Sequence, residues 1–201
     1  MFQFNQDYIL QNEIAELIPA NLDHREEIYK CSLDQSIWEH FTEEGYGEEN
    51  FNSYFDRALK YRDIKQQYTF VIKDLRKNKF AGMTRIYDVD NDLRNVKVGH
   101  TWIGTEFQKT GLNKACKFLL FEFLFEKIGM ERIGFGASSA NVNSINAMKS
   151  VGCSIEGELR GFLPVPNSNQ RLSIILLSIL KKDWDKSLKS NLKKKLQVIK
   201  A

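Results

Sequence analysis

His100-Thr-Trp-Ile-Gly-Thr-Glu-Phe-Gln-Lys-Thr-Gly-Leu-Asn-Lys-Ala-Cys-Lys117 is the stretch whose reading decides the fold. It completes an alternating strand, Val96 to Ile103, and breaks at Gly104. It then passes through Gln108-Lys-Thr-Gly111-Leu-Asn113 into an apolar run that lasts to Ile128. A strand, a glycine-containing turn and a helix in that order aim the helix's first, unpartnered N–H groups at one point. The helix dipole adds partial positive charge there. A phosphate suits such a point, and Lys109 and Lys114 flank it. The same letters also describe a helix that merely starts after a glycine. The GxxxxGK[ST] spacing of a P-loop is absent, and one glycine does not make the dinucleotide fingerprint.

Outward from this turn, Leu112 to Ile128 is apolar nearly all round, with Phe118, Leu119, Phe121, Leu124 and Phe125. That pattern predicts a helix laid over a sheet. Arg132 to Ser138 reads as the next strand, parallel to the one before the helix by the strand–helix–strand crossover rule. Asn141 to Val151 reads as a short helix. Ser154 to Arg160 and Arg171 to Leu180 read as strands, the second apolar on both faces and therefore covered. Residues 182–199 predict a terminal helix, with Leu188, Leu192, Leu196 and Ile199 at helical spacing. Upstream, Ile9 to Ile18 reads as one strand closed by Pro19. Asn21 or Asp23 can cap a helix to about Cys31. Glu48 to Tyr61 is a second helix, its leading glutamates suited to the dipole. Tyr68 to Asp74 and Phe80 to Val89 form a hairpin around residues 76–79, and Asp90 to Arg94 turn the chain into the pivotal strand.

A chain of 201 residues is most simply one domain, and 42% hydrophobic content suits a globular core. No apolar run of about 18 residues predicts a membrane span, and the N-terminus has no signal-peptide pattern. Cys31, Cys116 and Cys153 form no metal spacing, so reduced thiols in a cytoplasmic protein are the expectation. The net charge of +3 is misleading, because residues 181–201 hold eight lysines against two aspartates. The rest of the chain is mildly acidic, and nucleic-acid binding is not indicated. The basic terminal helix is expected to be structural or an oligomer contact, which leaves a homodimer open.

Gln108-x-x-Gly111-x-Asn113 resembles the pyrophosphate motif of the GNAT acyltransferases, Q/R-x-x-G-x-G/A, with Asn113 in place of the final small residue. Thr101-Trp-Ile103, Thr110-Gly-Leu-Asn113, Lys117, Asn141-x-x-Ser144, Gly152, Glu156-Gly157-x-x-Arg160 and Ser178-Ile-Leu-x-x-x-Trp184 are similar to the ribosomal-protein N-terminal acetyltransferase branch (RimJ/RimL-like). The resemblance covers about residues 8–185. It implies an α/β fold with a mixed, mostly antiparallel sheet of about seven strands, one parallel pair splayed for CoA, and helices on both faces. It implies acetyl-CoA as acyl donor and a primary amine as acceptor: a peptide or protein N-terminus, or else a small molecule. A CoA-binding module without catalysis is the alternative of another class. On the donor side the resemblance implicates Trp102, Ile103, Gln108, Lys109, Thr110, Gly111, Leu112, Asn113 and Lys114, with Asn141 and Ser144 from the later helix. A strand N–H near Thr101 would face the thioester oxygen. Ser144 would donate to the leaving thiolate or only touch the cofactor, and Asn141 would cap its helix, touch the cofactor, or both. His100 reads as a packed strand histidine or a base. The acceptor side maps to Ser32–Asn50 and Gly161–Gln170, with Trp38, Phe41, Glu43 and Tyr46 as contacts, since aromatics with carboxylates suit a cationic amine.

Overall fold

The computed structural model describes residues 1–164 and 169–200. Its strands are β1 (Leu10–Gln11), β2 (Ala15–Pro19), β3 (Gln67–Asp74), β4 (Lys79–Asp90), β5 (Asn95–Ile103), β6 (Arg132–Ser138), β7 (Ser154–Pro164) and β8 (Arg171–Leu180). They make one sheet in the order β1-β2-β3-β4-β5-β6-β8-β7. Eight strands replace the expected seven because the run from Ile9 to Ile18 is not continuous. The Asn12 side chain accepts from the N–H groups of Ile14 and Ala15, each at 2.9 Å. Such a side-chain-to-backbone turn folds the chain back, and Leu10 pairs with Leu17.

All neighbouring strands are antiparallel except β5 and β6. That parallel pair is short: Asn95, Val96 and Lys97 sit against Arg132, Ile133 and Gly134, and there the pairing ends. Beyond it β5 stays on β4 as far as Ile103, while β6 stays on β8 as far as Ser138. The two strands therefore part inside the sheet and leave a gap. A bulge bends β5 beside the gap. The β4–β5 register shifts between Met83 and Arg85, and His100 there has φ +47°. A bulge of this kind re-aims the side chains around it.

One face carries α1 (Arg25–Cys31), led in by the Asn21-capped turn Leu22–His24, and α2 (Glu48–Asp63). Ile28, Phe51, Tyr54 and Phe55 bury against Val71, Met83 and Trp102. The other face carries α3 (Leu112–Glu122), prolonged by the π-helical Phe123–Ile128, and α4 (Val142–Ser150). After β8 come the short α5 (Lys181–Asp183), a π-turn Trp184–Leu188, and α6 (Lys189–Lys200). Leu192 and Leu196 of α6 are buried in the same cluster as Leu112, Cys116 and Leu120 of α3.

At its far end α6 meets the turn before α3. Gly111 has φ +84°, and a Cβ there would lie 2.6 Å from Cδ1 of Ile199. Both facts require glycine: the left-handed backbone disfavours a side chain, and Ile199 already fills the place one would take.

Candidate active site

The donor side grows out of the gap. After β5, Gln108 Nε2 donates to the Ile103 carbonyl at 3.0 Å, and the Thr110 hydroxyl donates to the Phe107 carbonyl at 2.6 Å. These two bonds brace the turn. Helix α3 then starts with no side-chain cap and no acidic residue in its first turn, so its first N–H groups stay open to an anion. Arg76, from the β3–β4 hairpin, donates to the Thr110 carbonyl at 3.1 Å and pairs with Asp74 at 2.6 Å. It thus brings a cation to the turn that the sequence reading placed in an ordinary hairpin. Asn113 Oδ1 is buried without a partner among the described residues. The facing edges of β5 and β6 above Lys97 and Gly134 carry no strand-to-strand pairing. Open helix amides fit a pyrophosphate, and two unpaired strand edges fit the amide-bearing arm of CoA, whose N–H groups an acceptor such as Asn113 Oδ1 can take.

Side chains and main chain must be told apart here. Leu112, Trp102 and Ile103 are buried, so only their backbone can face the gap. The Trp102 indole lies on the α1–α2 face, donating to the Tyr54 hydroxyl at 3.1 Å and packing 5.4 Å from Trp38. Lys109 is exposed, and Lys114 is half-buried in the first turn of α3. Asn141 Oδ1 accepts from the Ser144 N–H at 2.9 Å and caps α4. The Thr101 hydroxyl points to the α3 face, where it meets Thr84 and Lys117.

On the opposite face lies a cavity of about 580 Å³ lined by Gln35, Ser36, Trp38, Glu39, Phe41, Glu43, Glu44, Gly45, Tyr46 and Asn50. The Ser32–Asn50 segment thus wraps one cavity and brings Trp38, Phe41, Glu43 and Tyr46 to it. The segment 161–170 lies partly outside the described residues. Glu43 is tied in place: Arg57 Nε is 3.2 Å from one carboxylate oxygen, and Arg85 Nη1 is 3.0 Å from the other. Arg85 is fully buried, with its guanidinium 4.5 Å from the Tyr54 ring centre. Sequence reasoning missed Arg85 and Arg57, because single arginines in a strand and a helix carry no local signal of a shared carboxylate. His100, aimed here by the bulge, places Nδ1 3.5 Å from the same Glu43.

Burial pulls the His100 pKa down to about 4, and the Arg85 charge adds to this. The imidazole is therefore neutral at pH 7. Below an unfolded-state pKa of about 6.5 the unfolded chain takes up a proton that the folded chain refuses until about pH 4. Across that window the unfolded state binds more protons, so stability falls as pH falls. His100→Gln is expected to flatten this part of the stability–pH curve. Urea unfolding at several pH values checks it; an unchanged slope rules out a buried neutral imidazole.

Comparison with known proteins follows the same lines. A family profile described as an acetyltransferase (GNAT) domain matches residues 15–154. YdaF of Bacillus subtilis (strain 168), provisionally named a ribosomal N-acetyltransferase, is 28% identical over 105 residues. That match takes in 52% of this chain and 56% of that protein, so the chain spans little more than half its relative's length. A GCN5-related N-acetyltransferase from Brucella melitensis superposes with a TM-score of 0.87 at 19% identity, over 96% of this chain and 86% of the other. A GNAT-family acetyltransferase from Bacillus anthracis gives 0.73 at 14% identity, over 87% and 99%. At these identities the two structures speak for the fold.

Proposed function

The chain belongs to the GNAT acetyltransferase family, and from that premise we propose that it is an acetyl-CoA-dependent N-acetyltransferase. Its acceptor is a primary amine, first of all the α-amino group of a peptide or protein. The observation that carries this reading is the interior gap between β5 and β6, which runs up to an uncapped helix N-terminus. CoA supplies the activated acetyl group. The turn from Gln108 to Lys114 holds the phosphates through backbone amides, and the unpaired strand edges hold the arm. A β5 N–H at Thr101 faces the thioester oxygen and stabilises its growing charge. Ser144, in the first turn of α4, donates a hydrogen bond to the donor near its sulfur end. Transfer is by direct attack of the bound amine, so most of the rate comes from holding two reactants in line. The cavity with Glu39, Glu43 and Glu44 supplies the acceptor side. Its acidic lining also supports a second reading, a small polycationic amine.

The test joins calorimetry with thiol release. Acetyl-CoA is expected to bind the purified protein, and CoA thiol to appear when an amine is added from a panel of peptides and polyamines. Ser144→Ala is expected to lower turnover up to about tenfold with affinity retained, as the loss of one hydrogen bond worth about 1 kcal/mol does. Binding without thiol release for any amine would favour the non-catalytic module. No binding at all would sink the reading.

A further inference from the structure

Lys117 is the one feature of the donor side that the functional reading leaves unexplained. It lies on α3, a helix that is otherwise apolar toward the sheet, and it is only 5% exposed. Its Nζ donates to the Thr101 hydroxyl at 3.0 Å, and that oxygen is also 2.8 Å from the Thr84 hydroxyl. On the other side the ammonium stands 5.6 Å from the Phe135 ring centre. Thr101 belongs to β5 and Phe135 to β6, so the side chain spans the two strands that have parted.

No carboxylate acts on this charge among the described residues. Its titratable neighbours are the Cys116 and Cys153 thiols, which burial pushes up to about 12 and so keeps neutral. An ammonium has three donors, and one is used here. A buried, uncompensated cation is costly, and a hydrophobic residue of the same length would be cheaper. A charge kept in such a place is explained if an anion forms beside it. The pyrophosphate is not that anion, because the ammonium is held between Thr101 of β5 and the Phe135 ring of β6, within the gap and away from the 108–113 turn. What reaches this depth is the reactive end of the donor. That end is neutral at rest and becomes negative only as the carbon–sulfur bond breaks. A fixed cation there favours the transition state over the ground state.

We propose that Lys117 is a catalytic residue that stabilises the leaving sulfur and protonates it. The inference rests on the acyl-transfer reading above. The acceptor nitrogen forms its bond to the acetyl carbon, the carbon–sulfur bond breaks, and the electron pair stays on sulfur. Lys117 gives that sulfur a proton and is left as a neutral amine. The proton shed by the acceptor nitrogen goes to water, and Lys117 regains one from solvent before the next turnover. Burial lowers its pKa to about 8, close to the reference thiol value of about 8.5, so the transfer is nearly balanced. The Thr101–Thr84 pair holds the amine in place.

The experiment uses the full chain with free CoA as probe, reading the ultraviolet absorbance of the bound thiolate against pH. In the wild type the bound thiol is expected to ionise about one pH unit lower than in Lys117→Met, a tenfold change in ionisation constant. Lys117→Met should also lose about 100-fold in kcat while acetyl-CoA affinity is kept. Lys117→Arg keeps the charge but cannot give up a proton, so it should restore the thiol shift and leave kcat low. Equal thiol ionisation in wild type and Lys117→Met would overturn the proposal, and so would full kcat in Lys117→Arg. An acetyl group found on Lys117 by intact mass would also overturn it, making the residue a nucleophile. Should Lys117→Met fail to fold, the wild-type and Lys117→Arg thiol titrations against free CoA still decide. Failure of the wild type to bind CoA at all is a different result, and it strikes the acyl-transfer reading instead.

Discussion

Truncation after Lys186 is expected to lower the melting temperature by about 10 °C or more, as a loss of a few kcal/mol does in a domain of this size. The cut removes Leu192 and Leu196, which are 2% and 7% exposed in the main core. A buried leucine lost from a core costs about 2–5 kcal/mol, partly offset because α6 no longer has to be ordered. The cut also removes Lys189, which is 3.1 Å from Glu122 and 2.8 Å from Glu126. These pairs are over a third exposed and add little. From sequence alone, donor binding should survive the cut. The contact of Ile199 with Gly111 changes that expectation, and affinity for acetyl-CoA should fall along with stability. Scanning calorimetry and size-exclusion chromatography provide the check. A melting temperature within a degree or two of the full chain would mean that α6 packs too loosely to matter.

A peptide with a free N-terminus and acetylated lysine is expected to react about 100-fold faster at pH 7 than one with a blocked N-terminus and free lysine, a difference of about 3 kcal/mol. The amine must be neutral to attack. At pH 7 that costs lysine roughly 4 to 5 kcal/mol and an α-amine roughly 1 kcal/mol. A strong, mobile base could erase the gap, and of the cavity's carboxylates Glu43 is not free to serve as one. Arg57 and Arg85 hold it. His100 is neutral, and with a pKa near 4 it is a weak base. A water passing the proton outward suffices for the α-amine. Initial rates on the two peptides decide, and faster acetylation of the lysine peptide would refute the preference.

What the sequence made legible was local. The strand, turn and helix from Val96 to Ile128 carry their own signals: alternation, a break at Gly104, then an apolar run. The parallel relation of β5 and β6 follows from the crossover rule. Asn12 was missed because Gln11-Asn12-Glu13 carries no Gly or Pro to mark a turn, and only the bonds of Asn12 to Ile14 and Ala15 reveal one. The candidate site was legible where it is backbone, around Gly111, and obscure where it is assembled over distance. Glu43, Arg85 and His100 meet through the packing of the Ser32–Asn50 segment on two strands. Lys117 stood out in the sequence only as part of a family likeness; its burial appears once α3 is laid across the gap.

The gap has a consequence for handling. Two strand edges in the middle of a sheet, each with a row of unsatisfied amides and carbonyls, are templates for the wrong neighbour as well as the right one. A free protein with such edges invites strand addition from another chain and slow precipitation. A ligand that binds the folded state alone holds the population there by mass action. Storage with CoA should therefore extend shelf life at high concentration, with light scattering over days as the measure.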